Sequence, residues 1–181
     1  RRSSRKGMKP MGGSAILEAI DQFLGYRTIG LVEASARIGL AALLGLVLGI
    51  ERHRKGKPMD FRAFMIVAVV SCLVAIMAQE IYADYASTER TVKLDFMAII
   101  SGVLTGIGFL GAGAILKGDG GRVVGTATGA SIWGAGGVGL ALGFGFYVLS
   151  LLAFAAIFGT LALLGLFMPS MVGERDEDDT G

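Results

Sequence analysis

The sequence Phe96-Met-Ala-Ile-Ile-Ser-Gly-Val-Leu-Thr-Gly-Ile-Gly-Phe-Leu-Gly-Ala-Gly-Ala-Ile-Leu116 contains twenty-one residues without a formal charge. Asp95 precedes this run and Lys117 follows it, so charged residues stand at both of its ends. A helix of this length reaches across the roughly 30 Å hydrocarbon core of a bilayer. We therefore expect residues 96–116 to form a transmembrane helix, and the other apolar segments to pack around it.

The run contains the pattern G-x-G-x-x-G at residues 106–111, which in a soluble protein suggests a dinucleotide-binding turn. That turn requires a preceding strand and an acidic residue about twenty positions later. Here both flanks are apolar and the next acid, Asp119, comes too soon. The favoured interpretation is a helix with one small face that lets another helix approach closely. This face consists of Gly102, Gly106 and Gly113, with Ser101 and Thr105 beside them.

The composition also indicates packed membrane helices. Apolar residues make up 53% of the chain, and 29 of its 181 residues are glycine, more than twice the usual share of about 7%. A net charge of +2 is too small to suggest a nucleic-acid partner. The only cysteine, Cys72, and the only histidine, His53, cannot supply an internal disulfide or a metal site built from several such ligands.

Four further apolar spans are predicted, at about residues 29–50, 63–79, 125–142 and 147–168. The last two come from one uncharged segment, residues 123–173, which as a single helix would measure roughly 75 Å. We expect it to bend at residues 143–145, Gly-Phe-Gly. The first span carries Glu33 and Arg37 four residues apart, in the order that favours an ion pair.

The predicted fold is therefore an all-α integral membrane protein of about five transmembrane helices with glycine-rich packing. Residues 1–13 are expected to be a disordered basic tail, 14–28 an interfacial amphipathic helix, 29–169 the transmembrane domain and 170–181 an acidic tail. Eight basic residues flank the spans on the side of the 51–62 loop, against four on the other side. This count places the N-terminus outside and the C-terminus in the cytoplasm.

Three blocks together resemble the MgtC/SapB family of bacterial inner-membrane proteins. Residues 37–52 resemble its first helix, which closes on Gly-x-Glu-Arg, and residues 57–62 resemble its entry to the second helix. Residues 95–113 contain the most specific string, Gly-Ile-Gly-Phe-Leu-Gly-Ala-Gly. Gly125, Thr128 and the Ser131-Ile-Trp motif continue the likeness, so the resemblance covers nearly all of residues 37–143.

Several positions depart from the family pattern. Asp60-Phe61 stands in place of Gly-Leu, Ala63-Phe64 in place of Thr-His, Ala98 where arginine is frequent, and Ala127 within a Thr-Thr pair. Many family members also end in a soluble regulatory domain. Because about a dozen residues follow Pro169, the expectation is a short form that lacks this domain.

No nucleophile–base pair, carboxylate dyad or metal cluster is visible in the sequence, so we expect neither an enzyme nor a cofactor. One hypothesis is a cytoplasmic charged cluster of Glu51, Arg52 and Arg62, with Asp95 at the opposite end of the third helix. The alternative for these four residues is anchoring in the interface. A second hypothesis is a polar row between helices three and four. Its members would be Thr105, Thr128 and Ser131, and the alternative for them is ordinary hydrogen bonding within helices.

Nine glycines are expected to support close helix packing. They are Gly45, Gly49, Gly102, Gly106, Gly108, Gly111, Gly113, Gly125 and Gly129. The short 117–122 connection should make helices three and four antiparallel neighbours, joined through Gly102, Gly106, Gly113, Gly125 and Gly129. A leucine at position 106 should then disrupt the fold.

The resemblance implies a regulator linked to adaptation to low magnesium and, in pathogens, to survival inside host cells. It implies action by binding membrane partners, such as the F-type ATP synthase. The alternative is a transporter or channel for Mg²⁺ or a small solute. No carboxylate falls in the middle of a span, whereas a cation path is expected to carry oxygen ligands or acidic rings. A third hypothesis is a structural homo-oligomer in the bilayer, built on glycine faces.

Overall fold

The computed structural model describes Gly13, Ile16 and residues 28–54, 60–86, 94–117 and 123–167. The predicted tails at 1–13 and 170–181, and the interfacial helix at 14–28, lie almost entirely outside the described residues. Within these ranges the chain forms five helices and two short strands. They are α1 (Leu31–Arg54), α2 (Phe61–Ala86), α3 (Phe96–Gly113), β1 (Leu116–Lys117), β2 (Val123–Val124), α4 (Thr126–Gly143) and α5 (Tyr147–Phe167).

The prediction of an all-α membrane protein with five helices is confirmed. By length and composition α1, α2 and α3 are long and apolar enough to cross a membrane, and α5 is apolar over Tyr147–Leu163. The bend expected between the last two spans is also present. α4 ends at Gly143, and Gly145 adopts a φ of 84°, which favours glycine.

The connection between α3 and α4 differs from the expected simple turn. α3 ends at Gly113 and not at residue 116, and the next residues pair in a two-stranded antiparallel ladder, Leu116 with Val124 and Lys117 with Val123. Gly125 then begins α4 with a φ of 87°. A Cβ at this position would collide with the carbonyl oxygen of Ala114. The close return of the chain at position 125 therefore requires glycine. The prediction of a simple turn at 117–122 did not include this contact.

α1, α2 and α4 form the core because glycines let their backbones approach closely. A Cβ added at Gly45 would lie 2.8 Å from the carbonyl oxygen of Phe64, and one at Gly49 would lie 2.5 Å from that of Phe61. A Cβ at Gly139 or Gly143 of α4 would collide in the same way with the α2 backbone, at Ala68 and Cys72. The interior of the bundle is thus set by backbone contacts as well as by side chains.

Two apolar clusters fill this core, one toward each end of the bundle. The first contains Ala41, Leu44, Ala68, Cys72, Ile76, Val138 and Leu142. The second contains Leu48, Phe64, Val67, Ile107, Ile132 and Ala135. Phe154 and Ile157 of α5 pack against both clusters. We name the two ends of the bundle after the buried arginines of α1, the Arg37 end and the Arg52 end.

α3 packs against α4, but not through the small face that the sequence suggested. A Cβ added at Gly102, Gly106, Gly108 or Gly113 would meet nothing within 4 Å. The contact lies on the opposite side of α3, where a Cβ on Gly129 would lie 2.5 Å from the carbonyl oxygen of Gly111. The expectation that Gly102, Gly106 and Gly113 join α3 to α4 is therefore wrong, and a leucine at position 106 has no close contact with α4 to disrupt.

Candidate functional site

The Glu51–Arg52 pair lies in the last turn of α1. Arg52 donates from Nε to Glu51 Oε2 over 2.5 Å and from Nη2 to Glu51 Oε1 over 3.0 Å. The two side chains are only 4% and 9% exposed. An arginine near the C-terminus of a helix also interacts favourably with the helix dipole. This end of α1 therefore holds a two-point ion pair that is almost completely enclosed by protein.

Arg62 does not join this pair. Its side chain is 71% exposed, and its Nε lies 3.8 Å from Oδ2 of Asp60. The guanidinium also lies over the ring of Phe61, 5.8 Å from the ring centroid. Asp60 accepts a hydrogen bond of 2.9 Å from the backbone N–H of Arg62, as an N-cap residue does. The predicted three-residue cluster is thus reduced to Glu51 and Arg52.

Asp95 lies at the start of α3, toward the Arg37 end of the bundle, where the neighbouring Phe96 packs on Phe144. Its Oδ1 accepts hydrogen bonds from the backbone N–H groups of Met97 at 2.9 Å and Ala98 at 3.1 Å. These two groups have no partner within the helix, so the carboxylate caps α3 and also carries a charge that the helix N-terminus favours. The structure thus gives Asp95 a local role that the sequence hypothesis did not specify.

The polar row expected between helices three and four has two of its three members together. Thr128 and Ser131 are both buried in α4, and Ser131 Oγ donates to the carbonyl oxygen of Thr128 over 2.8 Å. Thr105 lies on an exposed face of α3. Thr128 is 1% exposed, and its Oγ1 has no hydrogen-bond partner among the described residues. A buried hydroxyl without a partner is costly, which makes Thr128 a residue to test.

The helix register brings Thr128 to the same end of the bundle as Arg52. α1 and α4 run antiparallel, with Arg37 bonded to Gly143 near one end. Leu48 and Ile132 belong to one core cluster farther along the same two helices. Thr128, near the start of α4, therefore lies toward the Arg52 end of the bundle. The candidate site at the Arg52 end therefore consists of the Glu51–Arg52 pair and the Thr128–Ser131 turn.

A second polar cluster at the Arg37 end was only partly foreseen from the sequence. Arg37 pairs with Glu33, as its spacing predicts, but it also donates from Nε to the hydroxyl of Tyr147 over 3.0 Å. Its Nη1 donates to the carbonyl oxygen of Gly143 over 2.6 Å. Gln79 Nε2 donates to the same carbonyl over 2.7 Å. No local sequence signal connects these residues, because Arg37 and Tyr147 are 110 positions apart.

Glu80 holds the entry to α1 at this same end. Its Oε1 accepts hydrogen bonds from the backbone N–H groups of Ile29 at 2.6 Å and Thr28 at 3.2 Å. These donors precede α1 and the acceptor lies late in α2, so the contact fixes the start of one helix against the end of its neighbour.

Among the described residues, no group of three or more His, Cys, Asp or Glu side chains is arranged to hold a metal ion.

Comparison with known proteins agrees with the resemblance seen in residues 37–143. Protein SapB of Bacillus subtilis (strain 168) is 37% identical over 111 residues, which are 61% of this chain and 47% of SapB. Protein MgtC of Brucella abortus (strain 2308) is 30% identical over 134 residues, 74% of this chain and 52% of MgtC. YhiD of Escherichia coli (strain K12), provisionally described as a magnesium transporter, is 36% identical over 115 residues, 64% of this chain and 53% of YhiD.

The chain thus spans about half the length of the curated relatives it matches. No solved structure matches it. A model of the MgtC family matches residues 38–168, well over half of the sequence. With its apolar helices and this match, the chain is a membrane protein that belongs to the MgtC family.

Proposed function

We propose that this chain is a multi-pass protein of the bacterial inner membrane that regulates other membrane proteins by binding them, in adaptation to low magnesium. Its N-terminus lies outside and its C-terminus in the cytoplasm, by the eight-to-four count of basic residues. The Arg52 end then faces the cytoplasm and the Arg37 end faces outward. The chain is not an enzyme in this proposal, and the F-type ATP synthase is the first partner to test.

The observation that carries this proposal is the close packing of α1, α2 and α4. Backbone meets backbone at Gly45, Gly49 and Gly139, where even one added methyl group would collide. A solute path through these three helices would require them to separate and to lose those contacts. Such a core suits a rigid membrane body that presents its surfaces to partners.

A transporter for Mg²⁺ is the competing function, and the provisional description of the relative YhiD favours it. The buried polar groups at membrane depth include the hydroxyls of Ser71, Thr128 and Ser131. Mg²⁺ sheds its water reluctantly and is usually bound through carboxylates or phosphates. These hydroxyls alone supply no such ligand set, so we rank regulation above transport.

Growth and flux measured on the same protein separate the two functions. A strain that lacks its own MgtC-family gene would receive this chain and be grown in low-magnesium medium. The purified chain would be reconstituted in liposomes that enclose a fluorescent Mg²⁺ indicator. We expect restored growth and an indicator signal equal to that of protein-free liposomes. Mg²⁺ entry that depends on the protein would instead identify a transporter.

Partner binding is tested by affinity purification of the full chain from native membranes in mild detergent. We expect subunits of the F-type ATP synthase to be enriched over a control purification that uses an unrelated multi-pass protein at equal abundance. Equal recovery in both purifications would remove the ATP synthase as a partner. Regulation through another membrane protein would then remain to be tested by the growth assay.

A further inference from the structure

α3 exposes a face unlike those of α2 and α5. α2 presents large apolar side chains outward, among them Ile66, Val70 and Leu73, and α5 presents Val148, Leu149 and Leu152. The exposed stripe of α3 consists of Ala98, Ser101, Gly102, Thr105, Gly106, Phe109, Ala112 and Gly113, and the exposed side chains of Met97 and Leu110 border it. All residues of the stripe but Phe109 are small. Small faces in membrane helices are typical of surfaces where another helix packs closely.

A groove lies directly beside this stripe, between α2 and α3. Its volume is about 300 Å³, and Gly102 and Gly106 line it with open space where side chains would be. Ser71 of α2 also lines the groove and is 2% exposed. Among the described residues its hydroxyl has no hydrogen-bond partner. A hydroxyl group beside an apolar groove in a membrane has no water to bind. A hydrogen-bonding atom from outside the chain would therefore stabilise it.

We propose that a second copy of this chain packs on this face, with α3 against α3. Copies inserted in the same orientation are related by a two-fold axis along the membrane normal, so the two α3 helices run parallel at the same depth. Phe109 is 80% exposed and lies between Gly106 and Gly113 on the stripe. In a parallel helix pair, each Phe109 enters the hollow beside Gly106 and Gly113 of the other copy.

The hydroxyl groups favour a second copy over a lipid chain. The groove runs along residues 66–74 of α2 and 102–110 of α3, which are antiparallel, so Ser71 lies level with Thr105. A second copy brings its own Thr105 and Ser101 to this depth, and neither hydroxyl is bonded to another described residue. An acyl chain offers no such partner. The stripe carries no formal charge, so two copies do not repel each other.

Disulfide cross-linking of purified protein in liposomes tests the proposal. In a Cys72→Ala background, one variant carries Thr105→Cys on the stripe and a matched control carries Leu152→Cys on the exposed face of α5. After mild oxidation we expect a product of twice the monomer mass from Thr105→Cys, and at least tenfold less from Leu152→Cys. Since no other protein is present, this product is a pair of copies. Equal yields, or none at position 105, would overturn the proposal and assign the face to lipid or to another protein.

Variants of the stripe give a second readout. In the Thr105→Cys background, Gly106→Leu should reduce the cross-linked product at least tenfold. It should leave the monomer folded, because nothing lies within 4 Å of a Cβ at position 106. Phe109→Ala provides the same test if the leucine variant fails to fold. Undiminished cross-linking in the folded variants would contradict pairing through this face. Neither measurement depends on magnesium or on a regulated partner, so the outcome is independent of the proposed function.

Discussion

Arg37 Nη1 donates a hydrogen bond of 2.6 Å to the carbonyl oxygen of Gly143, the last residue of α4. Gln79 of α2 donates to the same oxygen, so the C-terminus of α4 is bonded to both α1 and α2. Carbonyl groups at the end of a helix have no partner inside it, and in a membrane they need one from a neighbour. The α4–α5 turn is therefore held in place by two side chains from elsewhere in the chain.

We expect Arg37→Lys to lower the stability of the protein in detergent by about 2 kcal/mol. Lysine keeps the charge but cannot contact Glu33, Tyr147 and Gly143 at once, and hydrogen bonds from a charged donor to Tyr147 and Gly143 would be lost while the half-exposed Glu33 stays solvated. The matched control is Arg62→Lys, since Arg62 is 71% exposed and the change should stay within about 0.5 kcal/mol. Thermal unfolding measures both, and equal shifts would contradict the role assigned to Arg37.

Two glycines of the packed helices should respond in opposite ways to alanine. Gly129→Ala places a methyl group 2.5 Å from the carbonyl oxygen of Gly111, and such overpacking costs about 1–3 kcal/mol. Gly106→Ala meets no atom within 4 Å and should be neutral, or stabilising by up to about 1 kcal/mol, because alanine is the better helix former. Thermal unfolding of the two variants under identical detergent conditions compares them. A larger loss at position 106 would mean that α3 packs differently.

The uncharged runs predicted five helices and the bend at 143–145 because length, charge and glycine placement are local properties. The packing face of α3 is not local. Gly102, Gly106 and Gly113 have helical spacing, but Gly111 on another side of the same helix makes the contact. A helix with several small faces can dock on any of them, and the choice depends on the neighbouring helices. Likewise, Tyr147 and Gly143 lie too far along the chain from Arg37 for spacing to identify them as its partners, whereas the spacing did identify Glu33.

Thr128→Val tests whether the unpaired hydroxyl of α4 serves only packing. Valine has a similar shape and removes the buried Oγ1 that has no partner, so stability should stay unchanged or rise by about 1 kcal/mol. The control Ser131→Ala removes a bonded hydroxyl and should cost about 0.6 kcal/mol. Growth in low-magnesium medium is the second measurement. If Thr128→Val is stable and abundant but does not restore growth, the hydroxyl acts in function.

Two variants of Asp95 distinguish its role as a helix cap from the role of its negative charge. Asp95→Ala removes the acceptor for the N–H groups of Met97 and Ala98 and should cost about 1 kcal/mol. Asp95→Asn keeps a capping oxygen and should retain most of that stability. We expect growth with Asp95→Asn to match the unaltered chain, as a cap requires. A stable Asp95→Asn variant that fails to support growth would show that the charge itself is needed.

The last prediction concerns Glu51 and Arg52, which form the remaining pair of the expected charged cluster. If they only anchored α1 in the interface, Arg52→Lys would keep the charge and change little. The bonds from Nε and Nη2 to the two oxygens of Glu51 require the planar guanidinium, and lysine cannot reproduce this geometry. We therefore expect Arg52→Lys and Glu51→Gln to reduce growth in low-magnesium medium at equal membrane abundance, whereas Arg62→Lys grows normally. Full growth of all three variants would leave the pair a structural role and remove it from the site.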